Sequence, residues 1–258
     1  MTAVPVAAPA PGPARGVATR FAALAVGGLA VVIGLGMLAF AAAGAGALTA
    51  GAGVYAVGAS VAARQLHRHH GHARLGGANA VTLFRLALVS ALSIPLFDAL
   101  LTGAPASGPR PASIAIIVIA TVSLSLDGVD GHLARRQGLA TAIGGRFDME
   151  VDSVFALVLA ALAVVVGGAP WIVLLLGLPR YLFGIAGAIW PWLHGPLPPR
   201  YSGKVVAVIQ MIALIVLQLA LSVVLLGVAG AIAFDLRRAL DAPPGYARES
   251  VVAVFFNL

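Results

Sequence analysis

Residues 127–152 read DGVDGHLARRQGLATAIGGRFDMEVD. Five of the nine acidic residues of a 258-residue chain fall in this stretch: Asp127, Asp130, Asp148, Glu150 and Asp152. The surrounding sequence is 60% hydrophobic, with a mean hydropathy of +1.02. A carboxylate in an apolar membrane segment is costly, so it ordinarily faces a partner ion, a metal or a water-filled cavity. Acids at helical spacing in such a setting predict a metal site that does chemistry.

Composition sets the frame. Only 10% of residues are charged, against roughly a quarter in a soluble domain. The chain reads as an all-α, polytopic transmembrane helical bundle. No cysteine is present, which excludes disulfides and thiolate metal sites. The net charge of +7 does not point to nucleic acid, because most Lys and Arg stand at the ends of apolar runs.

The apolar runs lie at about 20–42, 44–63, 79–102, 112–137, 144–167 and 171–194. A further run from 203 to 240 is long for a span of ~20 residues and predicts two spans joined tightly near Ser222. The first run exceeds the 7–15 apolar residues of a signal peptide and is expected to remain as a membrane helix. Residues 1–17, rich in Pro and Ala, read as a disordered tail, and 241–258 as a cytosolic C-terminal tail. With eight spans, thirteen of the sixteen Lys and Arg lie on one side of the membrane or at adjoining helix ends. The positive-inside rule then places both termini and the acidic stretch at the cytoplasmic face of the cell membrane.

Asp127 and Asp130 are i and i+3 at the end of one helix, and Asp148 and Asp152 are i and i+4 at the start of the next. Both spacings put each pair on one helix face. A short connection makes the two helices antiparallel neighbours, so the four carboxylates converge. Glu150 falls on the far face and is excluded from the site. Oxygen-only ligands suit Mg2+ or Mn2+, and two such ions about 4 Å apart are a common arrangement for displacement at phosphorus. Gly131 and Gly144 allow close backbone approach, and Arg135 can meet a phosphate. The plainer alternative is a structural ion cluster without chemistry.

The pattern D-x2-D-G-x2-A-R-x8-G-x3-D-x3-D is met at Asp127, Asp130, Gly131, Ala134, Arg135, Gly144, Asp148 and Asp152. In this the chain resembles the CDP-alcohol phosphotransferase family. The resemblance implies a six-span core, here over 65–240, with two added N-terminal helices over 18–64. It implies transfer of a substituted phosphate group from a CDP-linked donor, often CDP-diacylglycerol, to an alcohol acceptor with release of CMP. Asp127, Asp130 and Asp148 would bind metal. Asp152 would be the general base and is counted with the metal ligands as well. Gly131, Ala134, Arg135 and Gly144 would line the CDP site with Asp127.

Family members often carry P-N-x2-T-x2-R before the motif. Asn79, Thr82 and Arg85 match it, with Ala78 in place of proline, and the resemblance sets Asn79 and Thr82 beside the donor. The alternative is a helix N-cap at Asn79 and a snorkelling Arg85. Arg180 lies deep in its span, where a charge is a functional hypothesis by default. With Arg85 and Lys204 it is expected to form a basic pocket for a phosphorylated acceptor such as glycerol 3-phosphate or inositol phosphate. The alternative there is a structural ion pair at Arg180 and a topological anchor at Lys204. His67, His69, His70 and His72 read as a solvated basic loop near anionic lipid.

The expected partners are a CDP-linked lipid donor, a small alcohol acceptor and membrane lipid, without nucleic acid. A homodimer is implied by resemblance alone. Two competing functions are a cation transporter using the aspartates as its ion path and a non-catalytic relative. The transporter does not account for Gly131, Ala134, Arg135 and Gly144 at their fixed offsets, and the intact motif argues against a non-catalytic relative.

Overall fold

A computed structural model of the chain describes residues 15–69, 77–103, 110–137, 142–190 and 201–240. The side chains of 129–144 and 201–204 and most of those beyond 224 are not described. The expectations for residues 1–14, for the C-terminal tail and for His70 and His72 therefore lie outside the described residues. Residues 15–17, expected in the disordered tail, instead form the first turn of α1, and His67 and His69, expected in a loop, lie in the last turn of α2.

Every regular element among the described residues is helical. Helices α1 (Arg15–Ala39) and α2 (Ala45–His69) form the first hairpin, followed by α3 (Gly77–Thr102), α4 (Arg110–Gln137) and α5 (Ala142–Val165). A 3-10 turn (Trp171–Val173) leads into a short α6 (Leu174–Gly177), then α7 (Pro179–Ile189) and α8 (Tyr201–Leu240). The protein is a helical membrane bundle, as its composition predicts. A bilayer-spanning chain must satisfy its backbone internally, and helices do so within each segment.

α3 is the hub. It packs against α1, α2, α4 and α5, and its side chains from Leu86 to Leu96 are buried without a gap. Pro95 removes one backbone N–H, yet the helix continues through it. The nearby hydroxyls of Ser90 and Ser93 bond to the carbonyls of Leu86 and Ser90 at 2.8 and 2.6 Å. No polar side-chain atom of this α3 segment is left without a partner among the described residues.

The Gly- and Ala-rich α2 reaches α3 by close approach, the packing mode of membrane helices. A Cβ at Gly51 would stand 2.6 Å from Ile94 Cγ1 and 3.2 Å from the Ser90 carbonyl oxygen. Gly177 plays the same part for α6, where a Cβ would stand 2.7 Å from Leu157 Cα of α5.

Two expectations about the spans are corrected. The run 171–194 is not one straight helix, because α6 and α7 meet at a 69° bend. Pro179 is the physical reason. It has no N–H for the helical ladder, and it suits the first position of a new helix. The carbonyl of Leu176, beside the break, accepts a hydrogen bond from the Gln210 side chain of α8.

The second correction concerns 203–240, where the expected break near Ser222 is absent. α8 is continuous over 40 residues, about 60 Å at 1.5 Å per residue, twice the hydrocarbon thickness of ~30 Å. No proline interrupts it. The Ser222 hydroxyl bonds back to the Gln218 carbonyl at 2.7 Å, and Gln218 donates to the Leu159 carbonyl of α5 at 2.8 Å. Both polar groups are satisfied without a turn.

By length and composition, four of the described helices can cross a membrane, or five counting the bent pair as one. α4 has a shorter apolar stretch, Ala112–Gly128, and α5 carries its acids in its first turns.

The glycine packing gives a direct test. Gly51→Ala should destabilise the protein by about 1–3 kcal/mol, the usual range for overpacking. Gly53→Ala on the same helix meets nothing within 4 Å and should leave the melting temperature in detergent the same or slightly higher, since alanine is the better helix former.

Candidate active site

The site forms where α4 ends and α5 begins. The apolar stretch of α4 closes at Gly128, next to Asp127. The chain re-enters the bundle at Ala142, directly after the undescribed connection of four residues, 138–141. Asp127, Asp148 and Asp152 therefore lie at one end of the bundle. They offer three carboxylate oxygens within 4.8 Å of one another.

Arg85 of α3 occupies the centre. Its side chain is 1% exposed. Nη1 lies 2.9 Å from Asp127 Oδ1 and 2.6 Å from Asp148 Oδ1. Nη2 pairs with Asp152 Oδ1. Nε donates to the main-chain carbonyl of Ser123, one turn before Asp127 on α4, at 3.2 Å. One guanidinium thus ties together α3, α4 and α5. Among the described groups, one positive charge faces three negative ones. The arrangement is strong because guanidinium donors are fixed in a planar fork that matches carboxylates.

The three acids are each about one-third exposed, so the cluster opens toward one side while Arg85 closes it from beneath. All its described ligand atoms are carboxylate oxygens, the donor set that suits a hard divalent cation. Their mutual spacing is within reach of shared coordination. The residues present fit one or two such ions.

The remaining predicted positions fall into three groups. Thr82 is buried and Asn79 half-buried on the Arg85 side of α3, at i, i+3 and i+6. Asp130, Gly131, Ala134, Arg135 and Gly144 lie on the helical ends facing the connection, with side chains outside the described residues. Lys204 opens α8, and its side chain is likewise undescribed.

Arg180 stands apart. It pairs with Glu150, the acid on the face of α5 opposite to Asp148 and Asp152. The structure therefore does not bring Arg85 and Arg180 together in one basic pocket. Glu150 turns away from the aspartates, as its spacing predicts.

Reading the sequence missed two features. One is that Arg85 binds the aspartates directly rather than standing beside them. A lone buried cation facing an acidic cluster was the available signal. The other is the Ser123 carbonyl, a main-chain acceptor that no side-chain pattern reveals.

Comparison with known proteins bears on the same segment. The profile described as CDP-alcohol phosphatidyltransferase matches residues 76–235, well over half of the chain. The chain belongs to the CDP-alcohol phosphatidyltransferase family. The matched segment contains Arg85 and all four motif aspartates, and it leaves the α1–α2 hairpin outside.

The chain is also 32% identical over 146 residues to proteins named "Probable phosphatidylglycerophosphate synthase" from two strains of Mycobacterium tuberculosis, CDC 1551 / Oshkosh and ATCC 25618 / H37Rv. Each alignment covers 56% of this chain and 66% of the relative, just under two thirds of its length. No solved structure matches.

The geometry separates Glu150 from the other acids in a measurable way. Asp148→Asn should weaken Mn2+ binding by more than roughly tenfold, since even outer-shell changes cost 10- to 100-fold. Glu150→Gln should leave Mn2+ binding unchanged. Titration of the purified protein, followed by the electron paramagnetic resonance of free Mn2+, reads both.

Proposed function

We propose that the protein is a membrane enzyme of phospholipid synthesis. It transfers a phosphatidyl group from a CDP-linked donor, CDP-diacylglycerol as the best candidate, to a small alcohol, releasing CMP. The observation that carries this reading is the convergence of Asp127, Asp148 and Asp152 at one end of the bundle, within the segment that matches the family. An ion path would need polar groups spread through the membrane. These acids gather at one end, where a lipid-linked donor and a water-soluble acceptor can meet.

In this reading Asp127, Asp130, Asp148 and Asp152 hold two divalent cations, Mg2+ or Mn2+. Bound there, such ions supply charge neutralisation for the donor pyrophosphate and for the group being transferred. The chain's own residues do the rest. Asn79, Thr82, Gly131, Ala134, Arg135 and Gly144 orient the CDP moiety. Asp152 takes the proton from the acceptor hydroxyl as it attacks phosphorus.

The relatives' printed name, together with the basic residues Arg180 and Lys204, favours a phosphorylated acceptor, glycerol 3-phosphate first and inositol phosphate second. Arg180 would have to leave Glu150 to reach it. The basic residues flanking the connections at this end orient the site to the cytoplasmic face of the cell membrane.

The test is CMP release from CDP-diacylglycerol with Mg2+ across a panel of acceptors: glycerol 3-phosphate, inositol phosphate, inositol and serine. Glycerol 3-phosphate is expected to give the highest rate. Asp152→Asn should lower that rate by roughly 10²- to 10⁴-fold, the range for loss of a general base. Absence of Mg2+-dependent CMP with every acceptor would overturn the proposal. For the acceptor, Arg180→Ala and Lys204→Ala should each raise its KM. An unchanged KM in both removes them from the acceptor site.

A further inference from the structure

Among the described residues, two kinds of partner meet Arg85. Nη1 and Nη2 hold the carboxylates of Asp127, Asp148 and Asp152. Nε holds the Ser123 main-chain carbonyl. These partners differ in what can replace them. The carbonyl belongs to the α4 backbone and stays in place. The carboxylate oxygens are also the hard ligands a divalent cation requires.

A cation bound by these oxygens would stand beside a guanidinium of the same sign, in a setting where water screens charge poorly. Arg85 would then lose attraction to the acids. A buried guanidinium that gives up its counter-ions needs new ones, because an uncompensated buried charge is strongly destabilising.

We propose that Arg85 exchanges partners during loading of the site. Without a divalent cation it holds the three carboxylates together. When they take up the cation, Nη1 and Nη2 turn to a phosphate oxygen of the substrate, with the Nε bond to Ser123 as the pivot. The guanidinium fork fits carboxylate and phosphate alike, so one side chain serves both states. Ser123 adds an independent observation. It is fully buried, and its hydroxyl has no hydrogen-bond partner among the described residues. Buried hydroxyls are normally satisfied, so the residue whose main-chain carbonyl anchors Nε also carries a polar group without a partner among the described residues.

Arg85 is in this view a substrate-binding residue that couples cation binding to phosphate binding. The coupling is reciprocal by thermodynamic linkage. The phosphate belongs either to the CDP-linked donor or to a phosphorylated acceptor, and both present the same chemistry. The inference rests on the reading of Asp127, Asp148 and Asp152 as cation ligands.

The experiment is Mn2+ binding by the full-length protein in lipid nanodiscs. It is measured alone, with CMP and with glycerol 3-phosphate, each corrected for the anion's own chelation of Mn2+. In wild type, at least one anion should tighten Mn2+ binding by roughly 5- to 150-fold, the usual span of coupling between sites. CMP as the effective anion assigns the donor phosphate, and glycerol 3-phosphate the acceptor. Arg85→Lys keeps the charge but not the fork and should lose the enhancement. Arg85→Gln should lose it too, while binding Mn2+ alone more tightly than wild type.

Two results overturn the inference: no effect of either anion in wild type, or an equal effect in wild type and both Arg85 variants. The second would mean that the anion simply ligates the ion. Failure of wild type to bind Mn2+, or binding untouched by Asp148→Asn, instead sinks the metal-site reading.

Discussion

A single buried cation organises this membrane bundle. Arg85 cannot be solvated by lipid or by the apolar core, so the fold must bring acids to it. Asp127, Asp148 and Asp152 supply those charges from α4 and α5. The same pairing therefore fixes the mutual position of three helices and the geometry of the candidate active site. Removing the acids would leave the Arg85 guanidinium an unpaired buried charge, the costlier arrangement in a low dielectric.

The rest of the bundle holds α3 where Arg85 can act. α1 and α2 lie outside the family match, yet both pack on α3, α2 through Gly51 and Gly58, where a Cβ would come within 3 Å of Ile94 and Leu86. Asp98, near the far end of α3, accepts a 2.8 Å bond from the Gly44 backbone at the start of α2. The added hairpin is thus pinned to the helix that carries the central charge. On the other side, Gln218 ties α8 to α5, and Gln210 satisfies a carbonyl at the α6–α7 break. Isolated polar side chains in apolar helices serve here to register one helix against another.

Much of this was legible from residue spacing. The i, i+3 and i, i+4 offsets of the aspartates require a shared face whatever the packing, and the two-residue offset of Glu150 requires the opposite one. The apolar runs marked α1 to α5 to within a few residues, because membrane helices have a minimum apolar length. The α6–α7 bend was foreshadowed by Pro179, although the run around it looked continuous. α8 was misjudged because length alone suggested two spans. Helix continuity depends on local hydrogen bonding, and Ser222 satisfies its hydroxyl without leaving the helix.

The sequence by itself determined the helical membrane class, the acidic constellation and the family, since these depend on composition and on periodic spacing along one chain. Only the tertiary structure decided which charge meets which. Arg85 and Arg180 look alike in sequence, each a lone cation in an apolar span. Packing sends Arg85 to the three aspartates and Arg180 to Glu150 on the other face of α5. Ion pairing between helices depends on their relative rotation and depth, and those are set by side-chain packing across the whole bundle rather than by any local run of residues.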